Sequence, residues 1–328
     1  SERRKRGEDA MTKIFITRPM PKAVEERARK MGDTTFRPGT TPLGADEMVS
    51  ALNDFDVVLP TLGDQFGAEI FAQVDAPRAK LLANFGVGYN HIDVAAAKSK
   101  GLTVTNTPGA VTDATADIAM TLMLTTARRA GEGERMVRAG RWEGWHPTQM
   151  LGLHISGKTV AIIGMGRIGQ AIAKRCHFGF GMKVIYASRS AKELDFPAEQ
   201  CGSITEAAGK ADVFVVAVPG GSATKHLINT DIFDAMQGHA VFVNIARGDV
   251  VDETALIRAL QDRAIGGAGL DVYEFEPKVP AELIAMEHVT LFPHLGTASL
   301  EVRTGMGNMA LDNIEAFISG RPPANLVD

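Results

Sequence analysis

The chain has 328 residues, 45% apolar and 23% charged, with a formal net charge of -4. That is ordinary globular material, long enough for two domains, and its charge gives no reason to expect nucleic acid or an acidic surface as partner; a small anionic substrate would need positive charge gathered locally. Cys176 and Cys201 are too few for a disulfide framework and lack metal-ligand spacing to the histidines, and no apolar run approaches a membrane span, so no metal is expected and the reducing cytoplasm is the expected compartment.

Residues 1–10, SERRKRGEDA, are charged and unpatterned, and Met11 reads as a natural start, so the opening is taken as a leader or tag. From Met11 short apolar runs alternate with helical ones. Strands are expected at Lys13–Thr17, Thr34–Arg37, Asp56–Pro60, Lys80–Asn84 and Leu102–Thr105. Helices are expected near Lys22–Met31, Ala45–Leu52, Glu69–Val74 and Asp93–Lys100. Such alternation predicts a parallel sheet covered by helices on both faces. After the fourth strand comes NFGVGYNHID, where Gly86 and Gly88 bracket Val87 at the end of the sheet where open α/β folds bind ligands. Exposed backbone N–H groups in such a loop suit a carboxylate, although a plain glycine turn would look the same.

Thr107-Pro108-Gly109 breaks the pattern, and a buried helix is expected over Val111–Arg129. The segment 130–153, with Trp142 and Trp145, is less regular; two tryptophans in a glycine-broken stretch suit an arm packed on a second subunit, or else a core.

Lys158–Gln170, KTVAIIGMGRIGQ, reads as a strand, a tight turn and a helix start. Gly164, Gly166 and Gly169 give the G-x-G-x-x-G spacing: the first permits the turn, the second lets backbone approach a pyrophosphate, the third lets helix pack on strand. The free N–H groups of the following helix can face an anion. After the next strand, Lys183–Ala187, the position about 20 residues on that binds ribose hydroxyls through an acid holds Ser188, followed by Arg189. A carboxylate there would repel a 2′-phosphate, whereas a hydroxyl and a guanidinium bind one, so NADPH/NADP is preferred over NADH/NAD. Further strands at Val213–Val218, Ala240–Ile245, Gly267–Val272 and Val289–Phe292 bring the count from Thr159 to six. The last segment, Ala298–Ile318, is helical and expected to return to the first domain.

Polar residues stand just past three strand ends: Arg247 in NIARGDVVDE, Asp271 and Glu276 in GLDVYEFEP, His294 in LFPHLGTAS. Together with the fingerprint and the Gly86–Gly88 loop, these motifs resemble, from Met11 to the C-terminus, the D-isomer-specific 2-hydroxyacid dehydrogenases, most nearly their glyoxylate/hydroxypyruvate reductases. The chemistry asks for the same residue types. A guanidinium grips the carboxylate and carbonyl of a 2-oxo acid, which is assigned to Arg247. An imidazole supplies the proton on reduction, assigned to His294, and a carboxylate favours and orients the imidazolium. The family's acid stands directly before proline, which selects Glu276 over Glu274.

The resemblance further implies that Val87 and Gly88 offer N–H groups to the substrate carboxylate and that Asp271 accepts from the nicotinamide carboxamide. It places Thr115, Ile245, His294 and Gly296 around the nicotinamide, and Gly166, Arg167 and Ile168 at the pyrophosphate. Val218, Pro219 and Thr224 would line the adenosine side, although GGSAT after Pro219 departs from the usual leucine and polar turn. The other histidines, His91, His146, His154, His177, His226, His239 and His288, are read as structural or solvated.

The fold thus expected is α/β with two doubly wound parallel-sheet domains and a cleft between. A flavodoxin-like substrate domain (11–104 and 297–328) accompanies a Rossmann dinucleotide domain (105–296) bearing a dimerisation arm (130–153). The expected protein is a homodimeric NADPH-dependent reductase of small 2-oxo acids to D-2-hydroxy acids, with no nucleic-acid or membrane partner. Phosphoglycerate dehydrogenases usually carry an acid where Ser188 stands, and formate dehydrogenases a glutamine where Glu276 stands; D-lactate dehydrogenase stays an alternative. From another class, a dinucleotide-sensing corepressor shares these residues but carries a long tail that this sequence lacks.

Overall fold

The computed structural model describes residues 10–109 and 111–328; the expected leader or tag at 1–10 falls outside them except for Ala10. The chain divides into two compact units, one running to Val111 and joined by Ser299–Asp328, the other Thr112–Ala298.

In the first unit β1 (Lys13–Ile16), β2 (Asp33–Phe36), β3 (Val57–Leu59), β4 (Leu81–Ala83) and β5 (Thr103–Thr105) form a sheet in the order β2-β1-β3-β4-β5, every pair parallel. Parallel neighbours need crossovers, here the helices Lys22–Arg29, Ala45–Asp54, Ala68–Phe71 and Val94–Ser99, and the order is the flavodoxin-like one. Alternate side chains serve opposite faces: Ile14, Ile16, Val57 and Leu59 enter one core, Val58, Leu82 and Val104 the other. The helix Leu300–Ile318, capped by Ser299 accepting from the Val302 amide at 3.2 Å, places Ala310, Leu311 and Ile314 in the first of these cores.

The second unit holds β6 (Thr159–Ile163), β7 (Lys183–Ala187), β8 (Glu199–Gln200), β9 (Val213–Val216), β10 (Val241–Asn244), β11 (Gly267–Leu270) and β12 (Val289–Leu291). Their order is β12-β11-β10-β9-β6-β7-β8, all parallel: the doubly wound dinucleotide-binding order with one further strand. Val160 and Ile162 of β6 pack into one core with Val213 and Val215, while Ala161 and Ile163 join Phe214 and Val216 in the other. A strand buried on both faces reads as a continuous apolar run, which is why TVAII is legible as one.

Three features differ from expectation. There are seven strands rather than six, because the edge strand β8 is two exposed polar residues with no apolar signature. The units part at Val111/Thr112, beyond the expected 104/105, because Asn106 and Thr107 stay bound to the first unit. The Asn106 amide donates to the Asn325 carbonyl at 3.1 Å, and the Gly86 amide to Thr107 Oγ1 at 3.0 Å. The start of the 130–153 segment is a helix, Ala130–Arg138, hidden by Gly131 and Gly133. Beyond it Trp142 (54% exposed) and Trp145 (79%) lie on the surface, not in a core.

Candidate active site

The chain order of the second sheet reverses between β6 and β9, and the loops leaving these strands form the crevice where doubly wound sheets take a dinucleotide. Gly164 sits at φ 94°, and a Cβ there would come within 2.8 Å of the Ala217 carbonyl oxygen and 2.9 Å of Val218 Cγ1. A Cβ on Gly169 would lie 2.0 Å from the Gly164 carbonyl oxygen, so no other residue lets helix meet strand this closely. At Gly166 the same atom meets nothing within 4 Å. The first and third glycines therefore serve packing, and the second leaves open space at an uncapped N-terminus, that of helix Arg167–Lys174. Gly166 and Arg167 are exposed and Ile168 half-buried, which suits a pyrophosphate held by backbone amides.

At the end of β7, Ser188 Oγ donates to the Ser190 carbonyl, shaping the turn. Arg189 is exposed, with no hydrogen-bond or ion-pair partner among the described residues. After β9, Thr224 Oγ1 donates to the Pro219 carbonyl at 2.7 Å, so its hydroxyl closes the turn that begins at Val218.

The remaining residues leave the carboxyl ends of β10, β11 and β12. Arg247 follows β10 on a turn held by Asn244, whose amide donates to the Arg247 carbonyl at 3.1 Å and whose Oδ1 accepts from Ala246 at 3.0 Å. Its guanidinium gives one N–H to the Ala246 carbonyl at 2.8 Å. Burial pulls the Arg247 pKa below its ordinary value, against the charges of Glu276 and Asp249. Gly248 admits the next loop: a Cβ there would fall 1.9 Å from the Tyr273 carbonyl, so glycine alone lets the Arg247 turn lie against the chain leading to Glu276.

Glu276 and His294 form the centre. His294 Nδ1 lies 2.9 Å from Glu276 Oε2, while Glu276 Oε1 accepts the Tyr273 amide at 3.0 Å, so both carboxylate oxygens are fixed. Burial by itself would raise the Glu276 pKa; the bond and charge of His294, the Tyr273 amide and the charge of Arg247 outweigh it and hold it below the ordinary range. With Nδ1 engaged, His294 Nε2 has no partner among the described residues. Asp271, 1% exposed, accepts the Leu295 amide at 2.6 Å and the Gly296 amide at 2.9 Å, clamping the segment that presents His294 at φ 55°. Burial raises its pKa, opposed first by the Leu295 amide and then by the charge of His294. Thr115 Oγ1 reaches the Gly296 carbonyl at 3.4 Å, and Ile245 is buried beside the Arg247 turn.

In the first unit, the carbonyls of Gly86 and Gly88 accept from Asn84 Nδ2 at 3.3 and 3.0 Å, and that of Val87 from Asn106 Nδ2 at 3.1 Å. His91 Nε2 lies 2.8 Å from Asn84 Oδ1 and steadies this brace from a buried position. With its carbonyls turned inward, the loop leaves the Val87 and Gly88 amides without an acceptor among the described residues.

Two histidines read as structural or solvated prove to have carboxylate partners: His226 Nε2 lies 2.5 Å from Glu274 Oε1, and His239 Nε2 lies 2.6 Å from Asp212 Oδ1. The partners are 48 and 27 residues apart in sequence, so no local spacing signals them. Among the described residues no three His, Cys, Asp or Glu side chains are placed to hold a metal ion, and no helix is long and apolar enough to cross a membrane.

Residues 120–296 match the family model described as D-isomer specific 2-hydroxyacid dehydrogenase, NAD binding domain. The chain is 41% identical to a glyoxylate reductase of Thermococcus kodakarensis and 40% identical to one of Pyrococcus horikoshii, in each case over 96% of both chains. It superposes with a TM-score of 0.84 and 34% identity, over 96% of both chains, on a Sinorhizobium meliloti NADPH-dependent glyoxylate/hydroxypyruvate reductase solved with NADP and malonate.

Proposed function

Since the chain belongs to the D-isomer-specific 2-hydroxyacid dehydrogenases and is thus an NAD(P)-dependent oxidoreductase, we propose that it uses NADPH to reduce glyoxylate and hydroxypyruvate to their 2-hydroxy acids. The observation that carries this reading is the imidazole–carboxylate pair of His294 and Glu276, 2.9 Å apart, beside a desolvated guanidinium and above the crevice of a dinucleotide fold.

A bound nicotinamide supplies the hydride that converts the carbonyl carbon to an alkoxide carbon. Arg247 binds the acid through its planar N–H fork and stays charged through any working pH, so it both orients the carbonyl and draws electron density toward its oxygen. His294 gives its Nε2 proton to that oxygen as charge develops. The product carries the hydride on carbon and this proton on oxygen, and in the reverse direction Nε2 takes the proton back. Glu276 keeps Nδ1–H oriented and stabilises the imidazolium before transfer. Each Asp271 oxygen keeps a lone pair beyond its backbone bond, and that is our assignment for the carboxamide. The outward amides of Val87 and Gly88 are assigned to an acid's carboxylate. The exposed tryptophans lead us to assign residues 130–153 to a homodimer contact, checked by the mass of the particle in solution.

Replacing Glu276 by glutamine removes the charge that favours the protonated ring, so the alkaline limb of the reduction profile should move to lower pH. A coincident limb in the variant would break the pairing. The same exchange tests the fold. Glu276 has a lowered native pKa, so its stabilisation is complete at neutral pH, above the unfolded value, and is lost as pH falls through the native one. Thermal midpoints of the wild type should therefore drop more on acidification than those of Glu276→Gln.

The NADPH preference rests on Ser188 and Arg189, the latter unpaired among the described residues, standing where an acid would select NADH. Arg189→Ala should raise the NADPH KM about 10- to 100-fold, the loss expected for charge-assisted hydrogen bonds, and leave that of NADH nearly unchanged. Initial rates with both cofactors against glyoxylate and hydroxypyruvate test the whole reading. NADH as efficient as NADPH would overturn the cofactor assignment, and turnover of neither acid would overturn the substrate.

A further inference from the structure

His226 has no role in the reaction as described, yet it is bonded to both loops that carry that reaction. Its backbone amide donates to the Asp249 carbonyl at 2.7 Å, two residues beyond Arg247. The tie continues through the Ile228 amide to Val250 at 3.0 Å and the Asp252 amide to Ile228 at 2.9 Å. Its side chain turns the other way: Nε2 donates to Glu274 Oε1 at 2.5 Å, two residues before Glu276. Glu274 is nearly enclosed and reciprocally bonded to Glu253, accepting its amide at 3.4 Å and donating its own amide to Glu253 Oε2 at 3.1 Å. His226 also follows the Pro219–Thr224 turn and adopts φ 51°, a left-handed conformation uncommon for a side chain of its size.

A solvated ion pair needs none of this. Exposed pairs are worth at most about 1 kcal/mol, and one with no further ties would leave the loops indifferent to its loss. Here one residue is bonded to two loops that already touch where Gly248 meets Tyr273. Without the imidazole, Glu274 Oε1 would lose its side-chain donor at a nearly enclosed place, where burial and the charge of Glu274 already raise the Glu253 pKa.

Resting on the function proposed above, we propose that His226 is a positioning residue. By pinning Asp249 with its backbone and Glu274 with its ring, it fixes the spacing between the Arg247 guanidinium and the Glu276–His294 pair, and ties that spacing to the turn on the adenosine side. Displacement of reacting groups by about 1 Å costs on the order of a hundredfold in rate, so the clamp is read in turnover more than in folding.

The test compares His226→Ala, His226→Gln and Glu274→Gln in the full chain by two measurements. Amide hydrogen exchange over residues 245–253 and 271–277, without nucleotide or acid, should quicken in His226→Ala and stay near wild type in His226→Gln, whose amide donates from about the place of Nε2. With NADPH and glyoxylate, His226→Ala should lower kcat about 10- to 100-fold and raise the glyoxylate KM several-fold. His226→Gln should recover to within about threefold, and Glu274→Gln, which still accepts a hydrogen bond, should fall between. Unchanged exchange in His226→Ala overturns the clamp, as does a glutamine variant as impaired as the alanine one. Should the wild type turn over neither acid, the proposed function falls while the exchange result still decides whether His226 holds the two loops.

Discussion

Arg247→Ala should lower kcat/KM for glyoxylate by about 10²- to 10³-fold, the cost of removing one partner from a desolvated charge pair formed with the substrate. The loss should appear in KM and kcat together, because in its proposed role the guanidinium holds the acid in the ground state and polarises its carbonyl as the alkoxide forms. Lysine should rescue little: a point charge on a flexible stem cannot present two parallel N–H groups. Folding should respond in the opposite direction. The guanidinium is desolvated and, among the described residues, gives only one hydrogen bond, to the Ala246 carbonyl; burial outweighs the opposing charges of Glu276 and Asp249, so the free protein bears a cost at this position that is only partly compensated. The backbone of the turn is held by Asn244, which alanine leaves in place. The thermal midpoint of Arg247→Ala should therefore equal or exceed that of the wild type. A variant that loses activity and several degrees of stability together would mean that Arg247 supports the fold and not the substrate.

How far the site could be read from sequence follows the same division between backbone placement and side-chain pairing. β6, β9 and β10 are apolar because parallel strands are covered on both faces, so β6 ends visibly at Gly164 and β10 at Asn244, while the apolar run of β9 continues past Val216 to Pro219. Arg247, Asp271 and His294 follow β10, β11 and β12, and parallel strands deliver their carboxyl ends to one edge of the sheet. What an apolar pattern cannot carry is pairing across the fold. Glu274 and Glu276 sit two residues apart in one acidic stretch, yet they take different histidines: His226 lies 48 residues before the first, and His294 18 residues after the second. Family resemblance chose Glu276, whereas the role of Glu274 needed coordinates. β8 failed for another reason: Glu199 and Gln200 pair only with β7 at the sheet edge, and an exposed edge strand has no buried face to write into the sequence.

Removing the imidazole while keeping its backbone should produce the largest effect on turnover. His294 sits at φ 55°, so alanine would add conformational strain to the loss of the acid, whereas asparagine tolerates this region. His294→Asn should lower kcat by about 10²- to 10⁴-fold, the usual worth of a positioned proton donor, with the KM for the acid nearly unchanged because Arg247 still binds it. The residual rate should also lose the pH limb that Glu276→Gln displaces, since both reflect one proton. In the double variant Glu276→Gln with His294→Asn, the carboxamide has no imidazolium to stabilise, so the second exchange should cost little beyond the first. Additive losses would mean that Glu276 acts on the substrate directly instead of through the ring 2.9 Å away.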